Sequence, residues 1–252
     1  MKKLLIIFFL FNSYVGISQT TNEEYFNTGL DLYNQGKYLE AINQFQLIIE
    51  NGKHSDALYF NLGNSYYKIN DIANSIYYFE KALKLNPQDK DILNNLSYSQ
   101  NMLIDKIDEL PKNQVLELLN LFSNILSIDQ WVYLGIIFLY LCLLTFVLYY
   151  LNKKTNKKKF YFTTCLVFLL FSVLLLSNGI YRFKKENNTI NAIIFENKID
   201  FRTEPNYRSS VVFNLHEGTK VVVKEELSEW TLIQISDGNT GWIESKSIKK
   251  ID

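Results

Sequence analysis

Residues 131–181 read WVYLGIIFLYLCLLTFVLYYLNKKTNKKKFYFTTCLVFLLFSVLLLSNGIY. The outer stretches, 131–151 and 160–181, carry no charge, whereas 152–159 holds five lysines: Lys153, Lys154, Lys157, Lys158 and Lys159. As a helix rising ~1.5 Å per residue, either outer stretch covers roughly 30 Å, the depth of one hydrocarbon core. Two transmembrane helices joined by a lysine loop are therefore expected. Trp131, Tyr133, Tyr149, Tyr150, Tyr161 and Tyr181 fall near the run ends, where aromatic belts form. Short lysine-rich loops stay in the cytoplasm, so the segments before 131 and after 181 are both expected outside, in the periplasm of a cell with two membranes. Arg182, Lys184 and Lys185 weigh the other way, three charges against five.

The chain start agrees with that orientation. In MKKLLIIFFLFNSYVGIS (1–18), Lys2 and Lys3 precede a short apolar core and Gly16 and Ser18 supply small residues. This is the pattern of a signal peptide, with Gln19 as the first mature residue; an uncleaved anchor is the other reading. Either form leaves later residues on the outer side.

The net charge is zero but unevenly spread. Residues 19–110 hold 7 Lys/Arg against 13 Asp/Glu, a net of −6, and residues 186–252 hold 8 against 11, a net of −3. With both flanking regions acidic, nucleic acid is not an expected partner. Cys142 and Cys165 are the only cysteines and lie in the apolar runs; His54 and His216 are the only histidines. Neither a disulfide framework nor a thiolate metal site is expected in the flanking regions, and no cofactor is expected.

Residues 22–55 (NEEYFNTGLDLYNQGKYLEAINQFQLIIENGKHS) align with 56–89 (DALYFNLGNSYYKINDIANSIYYFEKALKLNPQD) at an offset of 34. Tyr25 matches Tyr59, Phe26 Phe60, Asn27 Asn61, Gly29 Gly63 and Phe45 Phe79. The period resembles the tetratricopeptide repeat, a helix–turn–helix unit. Gly29 and Gly63 suit close helix approach, Ala41 and Ala82 suit crossings, Phe45 and Phe79 fill the space between, and Pro87 stops the last helix. Thr28, Leu32, Ile48 and Lys53 depart from the pattern, as does Ser75, where alanine is usual. Residues 90–104 are expected to form a helix covering the open face of the second unit, since two repeats alone are marginal. By that resemblance the first helix of each unit lines a peptide-binding groove, here with Phe26, Leu30, Tyr33, Phe60, Asn64, Tyr67 and Lys68. Internal packing of these aromatics is the alternative.

Between repeats and spans, 111–129 has apolar residues at 115, 116, 118, 119, 122, 125 and 126, one face of a connector helix. The expected settings are the outer membrane surface, the repeats or a plain linker, with Asp129 capping the first span.

From residue 190 the composition turns to short β segments. IDFRTEP, LHEGTKVVV, EWTLIQI and NTGWIE are separated by Glu204-Pro205, Glu217-Gly218, Asp237-Gly238 and Asn239 to Gly241. The run 190–252 resembles a bacterial SH3-like barrel, whose late strand carries a Gly-Trp-Ile signal, here Gly241 to Ile243. Such domains are mostly binding modules for cell-wall peptides or proteins. Tyr207, Trp230 and Trp242 are the candidate surface aromatics, with Trp242 favoured for the core.

The expected fold is therefore multi-domain: all-α repeats (22–104), two transmembrane helices and a C-terminal all-β SH3-like barrel. This order resembles the BatE-type proteins of the Bacteroides aerotolerance gene cluster, on FNLGNSYYKI (60–69), EKALKLNP (80–87), NNLSYSQNMLIDKIDELP (94–111) and FNLHEGTKVVV (213–223). The resemblance implies a non-enzymatic inner-membrane component working beside von Willebrand A-type membrane proteins and a MoxR-type ATPase in envelope or oxidative-stress tolerance. Two functions follow as expectations: a membrane-anchored protein-interaction scaffold, or a peptidoglycan-binding envelope sensor that uses the SH3-like domain. No catalytic constellation is evident.

Overall fold

The structure, a computed structural model, describes residues 21–108 and 114–251. The expected signal peptide and the start of the connector, at Pro111, lie outside these residues. The chain forms two compact units, one from the segments up to Glu109 and from Ile190 onward, the other Leu110–Thr189.

In the first unit, α1 (21–34), α2 (Tyr38–Glu50), α3 (Asp56–Lys68), α4 (Ile72–Leu85) and α5 (Lys90–Asn101) follow the repeat. The turns repeat too: Gly36 (φ 78°) and Asn70 (φ 62°), 34 residues apart, both take the left-handed conformation that glycine and asparagine tolerate best. Ser55, Asp71 and Asp89 cap α3, α4 and α5 by accepting from the first-turn backbone N–H of Leu58, Asn74 and Ile92.

Helix pairs close on Phe45 and Phe79, which are wholly buried. A Cβ on Gly29 would sit 2.5 Å from the Phe45 ring, and one on Gly63 2.6 Å from the Phe79 ring. Glycine is what lets each ring reach the facing backbone. Ser75 is also accounted for: its buried hydroxyl lies 3.0 Å from Gly63 O and 2.9 Å from Ser99 Oγ, so the polar group in an alanine position has partners. The covering helix is present as α5, packed on α4 and α3.

The C-terminal region is one antiparallel sheet of β1 (Ile190–Ile194), β2 (Lys198–Arg202), β3 (Val211–His216), β4 (Lys220–Leu227), β5 (Trp230–Gln234), β6 (Thr240–Glu244) and β7 (Ile248–Lys250). Its order is β3-β2-β6-β5-β4-β1-β7. β2 and β6 share a single register pair, Arg202 with Trp242. The all-β character is as expected. The closed barrel is not seen, because no ladder joins the end strands β3 and β7 among the described residues. The core holds Phe201, Leu215, Val221, Ile233 and Ile243, and a Cβ on Gly241 would lie 2.4 Å from the Phe201 ring.

The repeats and the sheet, 80 residues apart in sequence, share a core. Ile193 and Ile251 are buried with Ile76, Tyr77 and Tyr78, and the Phe195 ring meets Tyr77 edge-on at 5.8 Å. Lys249 Nζ stands 4.3 Å over the Tyr77 ring, and Lys220 pairs with Glu80 at 2.7 Å. Leaving α5, the chain packs Leu103 where a Cβ on Gly218 (φ 84°) would stand, 2.5 Å away, and Ile107 enters the sheet's core. Asp105 between them accepts from His216 N and Thr219 Oγ1, each at 2.7 Å, and lies 2.7 Å from His216 Nδ1. Burial opposes its charge, but these contacts outweigh it and hold the carboxyl below its ordinary value. The sheet therefore covers the outer side of α4, leaving α4 buried nearly all round.

The second unit is α6 (Gln114–Ser123), α7 (Ile128–Leu151) and α8 (Thr155–Asn188). α7 and α8 are long and apolar enough to cross a membrane. Their facing positions are small: a Cβ on Gly135 would meet Leu176 at 2.7 Å, Ser172 Oγ donates to Gly135 O at 2.9 Å, and Cys142 and Cys165 Sγ are 3.2 Å apart. Two details differ from expectation. Ser127, not Asp129, caps α7, because a capping box with Gln130 satisfies both orphan N–H groups. Only 152–154 lie between the helices; Lys157, Lys158 and Lys159 form the start of α8, with Lys158 Nζ 5.4 Å from the Tyr149 ring.

Candidate binding surfaces

The predicted groove residues lie on α1 and α3. Phe26, Leu30, Tyr33 and Phe60 are half-buried against the helical core, with Phe26 5.8 Å from Phe45 and Phe60 6.0 Å from Phe79. Their inner edges are packed, so only part of each side chain is open to a ligand. Tyr33 also rests edge-on against Tyr38 at 5.2 Å, and burial, then the neighbouring Tyr38, raises its phenol. Its side chain is therefore not the free solvent projection that a groove-lining position suggests. Tyr67 is half-exposed outside the core contacts and Lys68 is exposed. The Asn64 side chain accepts from Asn95 Nδ2 of α5 at 2.8 Å.

That bond extends the surface onto α5. Tyr98 and Met102 stand 34 residues after Asn64 and Lys68, and they are 61% and 46% exposed. The pattern of 90–104 by itself marks only a covering helix. Carrying the period one step further would have found both residues.

In the sheet, the expected surface role of Trp230 is overturned. It is buried, because Tyr207, itself exposed, lies edge-on across it with ring centroids 5.0 Å apart. Trp242, favoured for the core, is half-buried. Beside Trp230 opens a cavity of about 200 Å³ whose rim includes Glu196, Lys198, Asp200, Arg202 and Glu244. Arg202 pairs with Asp200 and donates to Ser209 O at 2.9 Å, tying the 203–210 loop to β2. Charged side chains dominate the lining, with Trp230 as its aromatic member.

The lysines assigned to topology are brought together at one end of the hairpin. Arg182, which weighed against that orientation, has a structural task at the other end: it donates to Ser123 O at 3.0 Å and to Leu126 O, carbonyls at and just beyond the C-terminal end of α6. Among the described residues, no group of three or more His, Cys, Asp or Glu is placed to hold a metal.

Comparison with known families finds two matches. Residues 57–89 match the tetratricopeptide repeat and residues 198–249 match the bacterial SH3 domain. Comparison with curated proteins finds no match.

Proposed function

We propose that this chain is a membrane-anchored, non-enzymatic protein-interaction scaffold of the cell envelope. The observation that carries the reading is the division of labour around the repeats. The sheet occupies the outer side of α4, while α1, α3 and α5 keep an aromatic face, with Tyr98 and Met102 open and Tyr67 half-exposed. A tetratricopeptide match supports a protein partner, and the two apolar helices support a membrane anchor. In this reading the lysine end of the hairpin lies in the cytoplasm and both soluble regions lie in the periplasm, held by the bacterial inner membrane. The resemblance to BatE-type proteins supports a partner among membrane proteins of the von Willebrand A type, in an aerotolerance complex.

The test is affinity capture from native membranes with wild type and the double variant Tyr67→Ala, Tyr98→Ala. Losing an aromatic anchor typically costs ~1–2 kcal/mol or more, so partner recovery should fall at least ~10-fold. Equal recovery with a variant of unchanged circular dichroism refutes the groove. A second reading, peptidoglycan binding, rests on the bacterial SH3 match and the cavity beside Trp230. Sedimentation of the full protein with purified cell wall, lost in Tyr207→Ala, would favour it.

A further inference from the structure

Among its described side chains, α6 has a largely open apolar face. Leu118, Leu119, Leu121, Phe122 and Ile125 are between 56% and 67% exposed. At 100° per residue they fall on one side, with Asn120 and Asn124 on the other. The helical path runs on to Ile125 through Asn124 N to Asn120 O (2.9 Å) and Ile125 N to Phe122 O (3.2 Å). In water so broad an exposed apolar surface is unfavourable, so something covers it.

Its attachment says what. The C-terminal end of α6 is fixed to the end of the hairpin away from the lysines. Trp131 Nε1 donates to Ser123 O at 2.8 Å, Ser123 Oγ donates to Asn178 Oδ1 at 2.8 Å, and Arg182 holds Ser123 O and Leu126 O. Phe122 lies against the buried Trp131 ring at 5.3 Å, so the apolar face of α6 abuts the start of α7. Residues 118–127 (LLNLFSNILS) carry no charge.

We propose that α6 is an interfacial helix that seats its Leu118, Phe122 and Ile125 face in the lipid of the outer leaflet boundary, clamped there by Arg182, Trp131 and Asn178. An apolar face at such a boundary sinks ~5–10 Å below the headgroups. The absence of charge from 118–127 makes the seating of this face independent of anionic lipid. The helix then fixes where the chain leaves the membrane on its way to the repeats.

The experiment uses full-length protein carrying Cys142→Ser and Cys165→Ser, in phosphatidylcholine vesicles with and without phosphatidylglycerol. Nitroxides are placed singly at 118, 120, 122, 124 and 125, and relaxation by oxygen is compared with relaxation by a water-soluble nickel chelate. The expected result is oxygen dominance at 118, 122 and 125 and nickel dominance at 120 and 124, alike in both lipids. Nickel dominance at all five sites places the helix in water and overturns the proposal. Shielding of 118, 122 and 125 from both reagents shows a protein covering the face and overturns it equally. A pattern that appears only with phosphatidylglycerol contradicts the apolar mechanism. Arg182→Gln should flatten the alternation while the hairpin remains inserted, as judged by carbonate extraction.

Discussion

The soluble unit and the hairpin bury opposite kinds of residue. Around α2–α4 and in the sheet, the residues with almost no exposure are large: Phe45, Phe79, Phe201, Ile76 and Ile193. In the hairpin, apart from Trp131 at the start of α7, the buried positions among the described residues are small, Gly135, Cys142, Thr145, Ser172 and Gly179, while Leu143, Phe146, Leu170 and Leu174 face outward. The proposed membrane anchor accounts for the contrast, since such a chain meets two solvents and folds by two rules. Water drives large apolar groups inward; lipid offers no such gain, so small residues that permit close backbone contact take the inside.

Substitutions can break this contrast, and the largest effect belongs to the repeat core. Phe79→Ala removes the ring that fills the gap over Gly63, and truncating a buried phenylalanine costs about 3–5 kcal/mol. Proteolysis of detergent-solubilised protein should then open 21–108. Because Ile193 and Ile251 share that core, the sheet should also lose protection, which two independent domains would not show. In the hairpin the sensitive positions are the outward ones. Leu143→Asp should impair membrane insertion by about 2.5–3.5 kcal/mol. Leu39→Asp, exposed to a similar degree in the soluble unit, should change stability by no more than about 0.5 kcal/mol. Carbonate extraction measures the first and thermal melting the second.

Smaller effects are expected at the docking of sheet on repeats. Asp105→Ala leaves His216 N and Thr219 Oγ1 without their acceptor, a cost of about 1–3 kcal/mol. Since Asp105 has its pKa lowered by folding, its contribution is complete above the ordinary value of 3.8 and is lost as pH falls through the lower folded value. A stability profile of wild type against Asp105→Ala should therefore converge only in strong acid. The gentlest probe is the native thiol pair. Cys142 and Cys165, 3.2 Å apart, should oxidise with copper phenanthroline to an intrachain disulfide, read as protection from maleimide without dimer formation. Formation of dimer alone would show that α7 and α8 do not pair as described.

Local features were legible in the sequence where a period or a composition carried them. The 34-residue offset located the two helix pairs, α1–α2 and α3–α4, and Gly29 and Gly63 announced the rings they admit. The two charge-free runs gave α7 and α8, although their ends moved: the lysines at 157–159 are good helix formers and simply extend α8. The docking of the sheet was not legible, because Ile193, Phe195 and Ile251 look like ordinary strand residues and their partners precede them by more than 100 positions. One hint was present. IANSIYYFEKALKL (72–85) is apolar on more than one face, which signals a helix covered on both sides. Trp230 was misplaced because a tryptophan opening a strand does not reveal that Tyr207 will close over it.

The proposed topology puts both regions flanking the hairpin outside the inner membrane and the lysine end in the cytoplasm. The most direct test is labelling with an impermeant thiol reagent in cells with permeabilised outer membranes, using Asn51→Cys, Asn239→Cys and Asn156→Cys one at a time on the Cys142→Ser, Cys165→Ser background. Labelling at positions 51 and 239, with position 156 reacting only after the inner membrane is opened, is the predicted result. Labelling at position 156 alone, or at only one of positions 51 and 239 in intact inner membranes, would contradict it.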